Sequence, residues 1–187
     1  MTERPPEDAP PPGSVHAASV VLVHTGDGKG KTTAAMGTML RAVARGWRVA
    51  VVQFIKSGDW RAGEEDVARR LGVDWETIGE GFTWDSDDLG RAADIAREAW
   101  DAAKSKIASG EFDLVVLDEA TYPMNWGWIS TDDVVETIRT RPEGVNVIVT
   151  GRDAPVALVD VADTVTEMSK VRHAYDRGVA ARRGIDF

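Results

Sequence analysis

Residues Thr25–Thr33 read TGDGKGKTT, between the apolar run Val20-Val21-Leu22-Val23 and a helical pattern that begins at Thr32. Glycines at 26, 28 and 30 let the backbone turn and aim successive N–H groups at one point. Lys31 brings an ammonium, Thr32 a hydroxyl suited to a metal ion, and the helix N-terminus a partial positive charge. Strand, glycine-rich turn, Lys-Thr and helix in that order spell a phosphate-binding loop. In the common form of this loop a glycine stands six places before the lysine, where this chain has Thr25. The expected ligand is a nucleotide triphosphate, ATP with Mg2+. Its expected contacts are Thr25, Gly26, Asp27, Gly28, Lys29, Gly30, Lys31, Thr32 and Thr33.

Outward from the loop, short apolar runs alternate with helical periodicity. Thr32–Arg45 is predicted as a helix with Met36, Met39, Leu40 and Val43 on one face, stopped by Gly46. Arg48–Ile55 (RVAVVQFI) is the next strand, Glu64–Leu71 a helix and Asp74–Ile78 a short strand. Asp87–Ala108 is a long helix, with Leu89, Ala92, Ala93, Ala96, Trp100, Ala103 and Ile107 near a period of 3.6. Leu114–Leu117 and Val145–Val149 are buried strands. Thr131–Thr140 is a helix capped by Ser130 or Thr131, and Pro155–Val161 a short helix. Thr164–Met168 closes the sheet. This alternation predicts an α/β fold: a mostly parallel central sheet with helices on both faces, P-loop NTPase-like (RecA-like). One domain is expected over residues 16–187. Residues 1–15, rich in proline and acids, are expected to be a disordered tail, or alternatively a lid that orders over a ligand.

The net charge of −9 and pI near 4.8 argue against a duplex nucleic-acid partner, which needs a basic surface. With no cysteine, disulfides, thiolate metal sites and a cysteine nucleophile are excluded. No stretch approaches the ~20 apolar residues of a membrane span, and no signal-peptide pattern is present, so a cytoplasmic protein is expected.

LVVLDEA, Leu114–Ala120, delivers two carboxylates at the end of an apolar strand. Opposite the loop threonine, such acids hold magnesium directly or through water, so Thr32, Glu119 and Asp118 are the candidate metal ligands. Arg152 follows a later strand, where its guanidinium is either a surface group or a bidentate phosphate contact. Phe82 and Trp84, in Gly81-Phe82-Thr83-Trp84, form either a satellite core or a platform for a flat ligand; Tyr122, Trp126 and Trp128 share that ambiguity. Arg41, read alone, is a solvated side chain, and His173 a structural one. No guanine-specifying Asn-Lys-x-Asp is present, and Arg139 and Arg141 make a thin case for a kinase lid. The residues alone thus lead to a magnesium-dependent nucleotide enzyme with an aromatic second site.

Seven ordered segments go further. TGDGKGKTTAA, RAVARGWRVAVVQFIK, GEGFTW, DLVVLDEATY, VIVTGRDAP, ADTVTEM and VRHAYDRGVAARRGIDF lie in that order between His24 and Phe187, the first opening at Thr25. Together they resemble the P-loop cob(I)alamin adenosyltransferases, which also carry a threonine at the position of Thr25. The resemblance implies transfer of the 5′-deoxyadenosyl group of ATP to the cobalt(I) of a reduced corrinoid, with inorganic triphosphate leaving. It implies catalytic roles for Lys31, Thr32, Glu119, Phe82 and Trp84, with Phe82 and Trp84 on the lower corrin face and Arg41 near the corrinoid. It further implies a homodimer and a flavin or flavoprotein reductant. A P-loop kinase or ATPase, and an ATP-gated corrinoid carrier without turnover, are the alternatives.

Overall fold

The computed structural model describes residues 13–56, 63–79 and 89–186. Valine, isoleucine and leucine dominate the strands, because branched side chains suit a pleated surface packed on both sides. The six strands are β1 (Val21–Thr25), β2 (Val49–Phe54), β3 (Asp74–Ile78), β4 (Leu114–Asp118), β5 (Asn146–Thr150) and β6 (Thr164–Glu167). They form one sheet in the order β3-β2-β4-β5-β1-β6, with every pairing parallel. β2, β4 and β5 are buried along their whole length, as continuous apolar runs covered on both faces must be. β6 is an exposed edge.

Two cores sandwich the sheet. On one face lie α1 (Lys31–Ala44) and α2 (Gly63–Arg70), packed on Val51, Val116 and Ile148. On the other lie α3 (Leu89–Ser109), α4 (Thr121–Asn125), α5 (Thr131–Arg139) and α6 (Val156–Val159), packed on Val52, Leu117 and Val147. Alanine at 92, 93, 96, 99 and 103 gives α3 a smooth buried stripe interrupted by Trp100. Trp100 reaches α5, where its indole N–H donates to Asp133 at 2.7 Å and Lys104 adds a second bond at 2.6 Å. Ser130 caps α5 by accepting the Asp133 N–H.

Three local expectations change. The α1 stripe is Ala35, Met36, Met39 and Ala42; Leu40 turns away from the sheet and is 46% exposed, facing α2 across a cleft. Leu89 begins α3 but stays outside its buried stripe. The helix α4, directly after the paired acids, has no counterpart in the sequence reading. Pro123 lies in its first turn, where an N–H has no intrahelical partner to lose. Among the described residues, no helix is long and apolar enough to cross a membrane.

Candidate active site

The chain bends most sharply where strands end. Gly26 has φ 92° and Gly30 φ 120°, left-handed conformations that open the loop between β1 and α1. Gly28 is required for a different reason: a Cβ there would stand 2.6 Å from the Met168 carbonyl oxygen. That carbonyl accepts the Gly28 N–H at 2.6 Å, and the Met168 N–H donates to the Thr25 carbonyl at 2.8 Å. The end of β6 is thereby stitched to the loop. The Thr25 hydroxyl accepts the Ala154 N–H at 3.1 Å, tying the loop's start to the turn after β5. α1 has no side-chain cap and no acid in its first turn, unlike α5. Its leading N–H groups are therefore available to an anion.

Beside the loop lies an open cleft of about 290 Å³. Its border includes Asp27 to Thr33, Lys56, Glu64, Glu119, Tyr122, Arg152, His173 and Asp186. Lys31 Nζ donates to the carbonyls of Gly26 and Gly28, at 2.6 and 2.8 Å. Burial lowers its pKa and nearby Arg152 adds to this, against Asp27, Glu119 and Asp118. Arg152 stands 3.7 Å from Asp27, and Lys29 2.9 Å from Asp186.

The two acids at the end of β4 differ. Asp118 is fully buried and is not on the cleft border. Its Oδ1 accepts the Thr150 hydroxyl at 2.7 Å and its Oδ2 the Gln53 amide at 2.8 Å, with Lys56 Nζ 3.6 Å away. Burial works against the Lys56 charge, but Asp118, Glu119 and Glu64 outweigh it and raise its pKa. Asp118 thus holds the ends of β2, β4 and β5 together. Glu119 does face the cleft. Its backbone adopts φ 63°, rare for a non-glycine residue, and its N–H donates to the Thr150 hydroxyl at 2.9 Å. Burial first, and the Asp118 charge second, push its pKa up to about 7, against Lys56, Lys31 and Arg152.

Gly151 lets α4 close on β5: a Cβ there would overlap the Thr121 hydroxyl, at 1.9 Å. That hydroxyl donates to the Arg152 carbonyl at 2.6 Å and sets the approach of Arg152 to the cleft. Tyr122, Trp126 and Trp128 pack in series with tilted rings, centroids 5.6 and 4.6 Å apart, and Tyr122 and Trp126 pack against the core.

Thr25 through Thr33, Glu119 and Arg152 therefore meet in or beside one cleft. Arg41 does not join them: it is exposed in the last turn of α1, roughly 15 Å along the helix from Lys31, and borders neither this cleft nor the apolar one beside it. Phe82 and Trp84 lie outside the described residues, as do residues 1–12 of the acidic tail. Gln53, Thr150, Met168 and Asp186 are structural partners of the site that the sequence reading did not single out as such. The available signal was a polar residue set in or just after each apolar run: Gln53 within β2, Asp118 at the end of β4 and Thr150 at the end of β5.

Among the described residues, no cluster of three or more histidine, cysteine or acidic side chains could hold a metal ion. Magnesium needs less, taking one or two protein oxygens and completing its octahedron with phosphate and water. The oxygen donors Thr32 and Glu119, both on the cleft border, fit that pattern, with the fully bonded Asp118 behind them.

Residues 17–187 match the family model described as ATP:corrinoid adenosyltransferase BtuR/CobO/CobP. A corrinoid adenosyltransferase of Escherichia coli is 43% identical over 168 residues, covering 90% of this chain and 85% of the relative. The corrinoid adenosyltransferase CobA of Salmonella typhimurium is 43% identical over 170 residues, covering 90% and 85%. One from Pseudomonas aeruginosa is 44% identical over 170 residues, covering 90% and 83%. With the family model matching residues 17–187, the phosphate loop included, the chain belongs to the ATP:corrinoid adenosyltransferase family.

Proposed function

We propose that the cleft beside the loop holds the triphosphate of ATP as a leaving group while the ribose C5′ faces a corrinoid. The reaction is that of the family: the adenosyl group passes from ATP to the corrinoid. A cobalt(I) substrate donates an electron pair to C5′, a cobalt–carbon bond forms, and the C5′–O bond breaks. The bonding pair leaves with inorganic triphosphate, and cobalt ends formally as cobalt(III).

Such chemistry asks the protein for position and charge rather than for a nucleophile. The uncapped start of α1 and the loop N–H groups receive the phosphates. Lys31 gives up its carbonyl bonds to Gly26 and Gly28 and turns to the phosphate oxygens, where it stabilises the charge that grows as C5′–O breaks. Arg152 and Lys29 extend that role along the chain of phosphates. Magnesium, held by Thr32 and Glu119, supplies further charge neutralisation to the triphosphate when bound. Phe82 and Trp84 press on the lower corrin face and Arg41 contacts the corrinoid in this reading. A homodimer and a flavin-type reductant complete it, and the expected setting is the cytoplasm.

The observation that carries the proposal is the cationic, uncapped loop mouth, in a chain whose residues 17–187 match this family. The test is an anaerobic assay with ATP, Mg2+ and chemically reduced cobalamin, read by absorbance and by phosphorus products. Light-sensitive adenosylcobalamin with stoichiometric triphosphate is expected. ADP as the sole nucleotide product would move the function to a kinase or ATPase, and binding without turnover to a carrier. Lys31→Ala should lower kcat about 100-fold or more, as loss of a preorganised charge does; near-wild-type turnover refutes the assigned role.

A further inference from the structure

Among the described residues, Lys29, Lys31, Lys56 and Arg152 are the cations that border the cleft. Lys31 rests on backbone carbonyls, Lys56 on the fully buried Asp118, and Arg152 on Asp27 of the loop itself. Lys29 differs, because its partner comes from near the other end of the sequence. Asp186 Oδ1 stands 2.9 Å from Lys29 Nζ, the shortest of the three ion pairs. The carboxylate is aimed by its own turn: Oδ2 accepts the Arg182 N–H at 2.7 Å, and the Arg182 carbonyl accepts the N–H groups of Ile185 and Asp186.

The segment bearing this turn is lightly attached. Among the described residues, its backbone hydrogen bonds from Val171 to Asp186 all run within residues 169–186. Its large apolar side chains Val171, Tyr175, Val179 and Ile185 are exposed. Gly184 and Ile185 line the neighbouring apolar cleft together with Met36 and Leu40. A carboxylate so placed bears on Lys29 much as a phosphate oxygen does, on a turn that can leave without breaking the sheet.

We propose that the Arg182–Asp186 turn is a displaceable internal anion: Asp186 occupies Lys29 until an incoming triphosphate takes the lysine and releases the turn. The proposal rests on the phosphate-loop reading of Lys29 and adds a competitor to it. The Arg182 N–H first, and Lys29 second, hold the Asp186 carboxyl below the ordinary aspartate range, so it remains anionic at neutral pH and repels a triphosphate until it moves.

The probe is sodium triphosphate without metal, titrated calorimetrically into the full chain and into Asp186→Asn. Asparagine retains an oxygen for the Arg182 N–H but loses the charge. Roughly two- to fivefold tighter binding is expected in the variant, the range open to a half-exposed ion pair, with the ratio falling toward one in high salt. Asp186→Ala gives a second reading free of any asparagine contact. Trypsin provides the conformational measurement: triphosphate should speed cleavage after Arg182 and Arg183 in the wild-type chain. Equal or weaker binding in both variants at low salt overturns the proposal, as does protection of Arg182 by triphosphate. Should wild type and both variants all fail to bind triphosphate, the phosphate-loop reading falls and this one with it.

Discussion

His24 sits one residue before the end of β1, in register with Thr150 on β5 and Thr166 on β6. Thr150 in turn bonds Asp118, and Asp118 bonds Gln53, so a polar row crosses the sheet beneath the phosphate loop. Every member of the Gln53–Asp118–Thr150 series has a partner, whereas both ring nitrogens of His24 are buried without one. Burial lowers the His24 pKa from its ordinary 6.5, so the folded chain keeps the ring neutral while the unfolded chain protonates freely. Its contribution to stability is therefore present above about pH 6.5 and is lost as the pH falls toward the folded value. His24→Leu should flatten the decline in urea midpoint below pH 6.5. An unchanged slope would assign the acid sensitivity to other groups. This row was only half legible in the sequence: Asp118 announced itself beside Glu119, but Gln53 and Thr150 looked like ordinary strand-ending residues. Their bonding follows from register, which one sequence does not display.

Among the elements, α1 carries two glycine environments of opposite consequence. Gly37 lies inside the helix, and a Cβ there meets nothing within 4 Å. Gly37→Ala should therefore stabilise the fold by about 0.5–1 kcal/mol, the helix-propensity difference. Gly28, just before the helix, has the Met168 carbonyl where its Cβ would go. Gly28→Ala must push β6 from the loop or break the 2.6 Å bond, and should destabilise by about 2 kcal/mol. Chemical denaturation of both variants tests the pair, and matching signs would contradict this account. Periodicity identified most elements, because long buried strands and a 21-residue helix leave strong patterns. It missed α4, five residues long with a proline inside, since such a stretch has no room to show a period. It turned Leu40 inward because residues 36, 39, 40 and 43 do form one helical face; tertiary packing chose the face centred on Ala35, Met39 and Ala42 instead.

For the whole molecule, a ligand that binds only the folded chain adds stability by mass action. At a hundred times its Kd, triphosphate should contribute about 2.7 kcal/mol. For a chain of 187 residues that corresponds to a rise in Tm of roughly 5–10 °C. Thermal scans of wild type and Lys31→Ala check this, and an equal rise in both would place the anion elsewhere. The α/β class and the gathering of the candidate residues around one cleft at the carboxyl ends of the strands were legible because phosphate loop, acid pair and arginine each end a recognisable strand. The Lys29–Asp186 contact was not, since one acid in a basic segment near the far end of the sequence gives no signal of where it lands.

The pairing of β1 sets a timetable. Its neighbours in the sheet are β5 and β6, the last of the described strands, and Gly28 meets its partner only at Met168. The loop is synthesised roughly 135 residues before the segment that completes its surroundings. At ribosomal speed that interval is on the order of ten seconds, during which an apolar strand waits without either neighbour. Nucleotide cannot act as a seed for folding in that time, because a contact so distant in sequence closes last and slowly. The nascent chain is thus open to misassociation through the strand that leads into the phosphate loop.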